Sequence, residues 1–152
     1  MSKDVLSISS AGIIEDQGKL LLVKDSLGWG LPSGHNDKDD AFYPNPWFAL
    51  FWEMKEEVNL VIDRARLWGF LGFIALSPTR ISAGFVYKVE WHGKPEIIPG
   101  DEITSFRFFN PGEIRSLLDS PDEEIRKPKY NRPVLDAWLK KRPFLIKLSI
   151  AE

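Results

Sequence analysis

The 152-residue sequence predicts an α/β or α+β sandwich built on one hydrophobic core. Three observations carry that expectation. Strand-like apolar stretches occur both before and after a central helical segment. That segment places Leu50, Phe51, Met54 and Val58 on one face at helical spacing. Two further segments, each opened by a proline, have helical character toward the C-terminus. No linker or internal repeat divides the chain, so a single domain over 1–152 is expected.

Taken in order, Val5 to Glu15 is rich in β-branched residues and reads as a strand. Asp16-Gln17-Gly18 is a turn signal, with Lys19 to Lys24 as the hairpin partner. Gly28, Gly30, Pro32 and Gly34 mark a loop, followed by a polar stretch from His35 to Asp40. Asn45-Pro46 suits a helix start, because Asn caps well and Pro is tolerated at the first helical position. Helical periodicity then runs to Val58, and Asn59 suits the left-handed residue that ends many helices. Leu67 to Leu76 and Ile81 to Trp91 read as strands joined through Ser77-Pro78-Thr79, and Thr104 to Phe109 as another strand. Pro111 to Leu118 and Pro133 to Lys141 complete the expected helices.

Composition narrows the function. With 20 Lys+Arg against 22 Asp+Glu, the net charge of -2 argues against coating duplex nucleic acid or an anionic membrane. No cysteine means no disulfide, thiolate nucleophile or zinc ribbon, and two histidines disfavour a His-rich metal site. No signal peptide or membrane span is visible, so a cytoplasmic location is the expectation.

The informative segment is Glu53-Met54-Lys55-Glu56-Glu57. Three carboxylates recur at helical i, i+3 and i+4 spacing, so they share a face and repel one another. Two of them fall near the helix C-terminus, where the macrodipole disfavours negative charge. A hard divalent cation would reverse both penalties. A solvated acidic helix face fits the same pattern.

The surrounding sequence separates the two readings. Leu31-Pro32-Ser33-Gly34 followed by Glu53-Met54-Lys55-Glu56-Glu57-Val58-Asn59-Leu60 resembles the Nudix hydrolase box, G-x5-E-x7-R-E-U-x-E-E-x-G-U, with U an aliphatic residue. Ala49 falls at a commonly small position. Asp101 to Phe109 resembles the family's later acid-then-aromatic strand, and Pro111-Gly112-Glu113-Ile114 the short helix after it. Trp52 stands where the box has Arg, Asn59 where it has Gly, and Gly34 lies about four residues farther from Glu53 than the pattern. Pro44 falls where the first box Glu would be.

The resemblance implies a Nudix-type α/β/α sandwich with a mixed β-sheet between helices. It implies Mg²⁺-dependent (or Mn²⁺-dependent) hydrolysis of a pyrophosphate bond in a nucleoside diphosphate linked to another moiety. Glu53, Glu56, Glu57 and the backbone carbonyl of Ser33 would be metal ligands, with Glu53 or Glu102 as general base and Asp101 after them. Because family members differ in the base, that assignment stays open, and Glu102 also fits an exposed loop acid.

For substrate binding the candidates are Gly34, Trp29, Phe42 and Arg80. Trp29 and Phe42 fit base stacking or packing, as do Trp47, Trp68 and Phe73; Arg80 fits a phosphate contact or a solvated surface. Ser77-Pro78 falls roughly where ADP-ribose-hydrolysing relatives carry a proline, and equally suits a turn. The basic run Arg126 to Arg132 suits a polyphosphate or RNA end, or a solvated lead into the last helix whose prolines oppose helix formation. Expected partners are a small nucleotide and a second copy of the chain. With Trp52 in the box, a catalytically impaired nucleotide-binding or sensor domain is the alternative.

Overall fold

The computed structural model describes residues 5–37, 46–78, 80–142 and 144–145. Its elements run β1 (Val5–Ile13), β2 (Glu15–Asp16), β3 (Lys19–Asp25), β4 (Gly28–Gly30), β5 (Ser33–Asp37), α1 (Pro46–Val58), β6 (Val61–Ser77) and β7 (Arg80–His92). They continue as β8 (Ser105–Phe109), α2 (Pro111–Leu118), a 3-10 turn (Asp122–Glu124), α3 (Pro128–Lys140) and β9 (Phe144–Leu145).

Five strands form a mixed sheet in the order β5-β1-β7-β6-β9. In it β1 and β7 run parallel, while β5 lies antiparallel along β1's other edge. A second sheet is centred on β3, which pairs with β2, β4 and β8. The expected hairpin is therefore limited to its turn: Glu15 and Asp16 pair with Leu20 and Lys19. The body of the first strand leaves for the other sheet, because its alternate neighbours β5 and β7 take both its edges. The stretch expected to be a glycine loop instead contains β4 and β5.

β3 shows why three layers form. Leu20 and Leu22 join a core with Ile114, Leu117, Val134, Leu135 and Trp138 of α2 and α3. Leu21 and Val23 point the other way, into a core with Leu50, Met54 and Val58 of α1. Period-two alternation puts successive side chains on opposite faces, so the unbroken Leu-Leu-Leu-Val run is what a strand covered on both sides requires. The result is the expected α/β/α sandwich.

Helix α1 ends as its sequence indicates. Asn59 has φ 59°, and its N–H donates to the Lys55 carbonyl at 3.1 Å, an αL cap. Asn45, expected as the N-cap, lies outside the described residues. Helix α2 is closed by a capping box: the Glu113 amide donates to Asn110 Oδ1 at 2.8 Å, and the Asn110 amide to Glu113 Oε1 at 2.9 Å.

Helix α3 begins five residues before the expected Pro133, at Pro128. Pro128 occupies the first helical turn, where its missing N–H is no loss. Pro133, inside the helix, forgoes one hydrogen bond, and the buried face of Val134, Leu135 and Trp138 offsets that loss. Among the described residues no helix is long and apolar enough to cross a membrane.

Candidate active site

A cleft of about 440 Å³ opens between β1, the β4–β5 connection, α1 and the start of α3. Ser33, Gly34, Glu53, Glu57 and Glu102 all line it, which brings together residues that the sequence spreads over seventy positions. Ser9, Ser10, Leu71, Phe85, Tyr130 and Val134 also line it, together with the charged residues Asp25, Arg126 and Lys127.

Gly34 is where β5 meets α1. A Cβ there would collide with the Glu53 side chain and stand 3.1 Å from the Ala49 carbonyl. Only a residue without a side chain lets the strand lie this close to the helix, and the small Ala49 opposite serves the same approach.

The three acids of α1 do not share one environment. Glu57 is 6% exposed and Glu53 half-buried, whereas Glu56 is exposed and outside the cleft lining. A helical face one turn wide spans the cleft edge, so its inner members are desolvated and its outer member is not.

Burial pushes the Glu53 carboxyl up to about 7, and Glu56, Asp101 and Glu102 add to the rise. Burial also pushes Glu57 up to about 8; Arg126 opposes this, Glu53 and Asp101 reinforce it, and a hydrogen bond from the Ser33 amide lowers it. Desolvation dominates in both.

One oxygen of Glu57, Oε1, is buried with no hydrogen-bond partner. An orphaned carboxylate oxygen beside a second desolvated carboxyl is what a hard cation would satisfy. Among the described residues no group of three or more His, Cys, Asp or Glu side chains is arranged to hold a metal ion. What the cleft offers is the pair Glu53 and Glu57, and an ion such as Mg²⁺ can be bound through one or two carboxylates plus substrate phosphates. The residues therefore fit a divalent ion.

Other expected residues are placed differently. Trp29 does not line the cleft: its indole meets Phe109 edge-on at 5.0 Å and lies under Lys24 and Arg107. Gly28 and Gly30 on the same short strand face inward, so alternation turns Trp29 away. Trp68 packs against the core with it. Phe42 lies outside the described residues, as do the side chains of Arg80, Trp47 and Phe73. Arg80 is the first residue of β7, not a loop residue, paired with Val5 in the register that places Phe85 beside Ser10.

The basic run is the main correction. Arg126 is 7% exposed, not solvated. Its Nη1 donates to Asp25 Oδ2 at 3.2 Å and stands 4.0 Å from Glu57 Oε2, while Nη2 donates to the Leu31 carbonyl at 2.7 Å. Arg132 is also engaged, through Asp122 and the carbonyls of Leu118 and Ser120. Asp25 was silent in the sequence: it is an ordinary strand-end acid whose partner lies 101 positions away.

The family model for the NUDIX domain matches residues 5–131. The chain belongs to the Nudix family and is a Nudix-type hydrolase, in general terms a pyrophosphohydrolase; members of the family act on small nucleotides and generally use divalent ions. Its fold is similar to that of a MutT NUDIX hydrolase from Burkholderia pseudomallei (23% identity, TM-score 0.58, 71% of this chain and 85% of that one). It is similar also to a NUDIX hydrolase from Nitrosomonas europaea (18% identity, TM-score 0.63, 99% and 80%). A third similar structure is the NUDIX domain of Shewanella oneidensis NrtR complexed with ADP ribose (15%, TM-score 0.63, 93% and 90%). No curated protein sequence matches the chain.

Proposed function

We propose that the chain, one Nudix domain over 1–152, hydrolyses a pyrophosphate bond in a nucleoside diphosphate linked to another moiety and depends on Mg²⁺ or Mn²⁺. The observation that carries this reading is the pairing of Glu53 and Glu57, both desolvated in one cleft, with Glu57 Oε1 left unpartnered. Glu53, Glu56, Glu57 and the Ser33 carbonyl would hold the ion. When bound, the ion supplies charge neutralisation at the phosphates and a more acidic coordinated water.

The chain's own residues supply the rest. A water oxygen bonds to one phosphorus, the bridging P–O bond breaks, and a carboxylate takes the water's proton. Glu53, with its carboxyl near 7, is suited to that transfer at neutral pH; Glu102, on the facing loop, is the other candidate. Lys127, an exposed residue of the cleft lining, offers a cation to the phosphates. Gly34 allows the β5 backbone to close on the helix that bears Glu53. A cytoplasmic location and a homodimer belong to this proposal as expectations.

The test is phosphate or nucleotide release from ADP-ribose, nucleotide sugars, dinucleoside polyphosphates and (d)NTPs, with and without Mg²⁺ or Mn²⁺. Metal-dependent turnover of one class, lost in Glu57→Gln, is expected. No turnover by the folded protein would sink the reading.

Trp52 in the box favours one second reading, a nucleotide-binding or sensor domain without turnover. The Shewanella domain bound to ADP ribose makes that ligand the first to try. Calorimetric binding without cleavage separates this reading from the first.

A further inference from the structure

We infer that Arg126 is a positioning residue for Glu57: its buried guanidinium locks the β4–β5 connection against one oxygen of that carboxylate, leaving the other oxygen for a divalent ion. The inference rests on the hydrolase reading for its ion, and on local geometry for everything else.

The guanidinium is held on several sides. Its Nη2 donates to the Leu31 carbonyl at 2.7 Å and lies 3.4 Å from Ser33 Oγ, and its Nη1 donates to Asp25 at 3.2 Å. The Arg126 amide donates to the Trp29 carbonyl at 2.8 Å, and its own carbonyl accepts from Asn131 Nδ2 at 2.6 Å. A planar fork with this many fixed contacts has one orientation. That orientation fixes residues 31–33.

Residue 33 then acts on Glu57. The Ser33 amide hydrogen-bonds the Glu57 carboxylate. Arg126 Nη1 stands 4.0 Å from Glu57 Oε2, while Oε1 is buried without a hydrogen-bond partner in a residue lining the cleft. The fixed guanidinium thus faces one oxygen of the carboxylate and leaves the other unpaired.

Stability alone is a poor account of this arrangement. A buried guanidinium beside two buried carboxylates carries a large desolvation penalty, and apolar residues of similar volume commonly do as well or better. A buried guanidinium that faces one oxygen of Glu57 and leaves the other unpartnered makes sense as orientation.

Arg126→Lys keeps the charge and loses the fork. Mn²⁺ affinity, read by electron paramagnetic resonance without nucleotide, should weaken by about tenfold, and kcat should fall by a similar factor with KM changed much less. Circular dichroism checks that the variant is folded. An Mn²⁺ affinity within about twofold of the parent's overturns the inference, whatever happens to kcat. If Arg126→Lys does not fold, the parent protein decides: the ¹⁵N resonance of Arg126 Nε should shift during a Mg²⁺ titration with the midpoint of metal binding. A resonance that stays still overturns the inference. A parent that binds Mn²⁺ tightly and hydrolyses nothing would end the hydrolase reading and leave Arg126 in its role.

Discussion

The Leu31 amide donates a 2.9 Å hydrogen bond to Asn131 Oδ1, joining the strand connection at the cleft to the start of the last helix across 100 positions of sequence. Asn131 Nδ2, at the other end of that side-chain amide, donates to the Arg126 carbonyl. Asn131 is buried and therefore holds two backbone groups that water does not reach. It also approaches Gly30, where a Cβ would come within 2.9 Å of its Nδ2.

Asn131→Ala should strand both groups and lower the unfolding free energy by about 2 kcal/mol, measured by urea denaturation. A loss under about 0.5 kcal/mol, typical of a surface site, would show that the bridge holds nothing.

Gly34→Ala tests the close approach of β5 to α1. The new methyl collides with Glu53, so strand or helix must move. Overpacking of this kind costs about 1–3 kcal/mol, and turnover should fall further than stability because Glu53 is the group displaced. Turnover equal to the parent's would show that the Glu53 side chain simply swings aside.

The raised carboxyl pKa values set a pH dependence for metal-free protein. The unfolded chain releases the protons of Glu53 and Glu57 near 4.5, whereas the folded chain keeps them until about 7 and about 8. Between those limits the folded state binds more protons, so these groups make stability fall as pH rises. In chelator, the melting temperature should drop from about pH 5 to about pH 8, and Glu57→Gln should flatten the slope. Added Mg²⁺, which favours the ionised carboxylates, should raise the melting temperature more at the upper pH than at the lower. A metal-free melting temperature that climbs over this range contradicts the assignment.

Trp52→Arg asks whether the box position still matters. Trp52 is 43% exposed, its ring edge-on to Phe51 at 5.6 Å. Arg126 already places a guanidinium beside Glu57. The substitution should therefore change kcat by no more than about twofold, the scale of an exposed replacement. A large gain in rate would show that the helix itself needs the cation.

Local pattern was enough for much of this molecule. Helix α1 follows from apolar spacing and ends at an asparagine suited to a left-handed cap. Helix α2 runs over the expected Pro111–Leu118. Glu53 and Glu57 were legible because a helix turns i and i+4 onto one face, and Gly34 because it follows Leu31-Pro32-Ser33 as the opening glycine of the box, despite the longer spacing to the helix. All of these depend on neighbours within a turn or two, or on a motif that records such neighbours.

The rest depended on partners far along the chain. That β1 joins β5 and β7 instead of β3 is decided by strand edges that become available only when the sheets assemble. Glu56 and Glu57 are adjacent acids in sequence, yet packing desolvates one and leaves the other in water. Arg126 looks like part of a solvated basic run until Asp25, 101 positions earlier, is brought to its guanidinium. The sequence by itself determined helices α1 and α2, the apolar strands and the shared face of the three carboxylates, because short-range periodicity and capping set them. Only the tertiary structure decided which charges are buried and which oxygen is left free, because desolvation and ion pairing depend on every element that closes over the group.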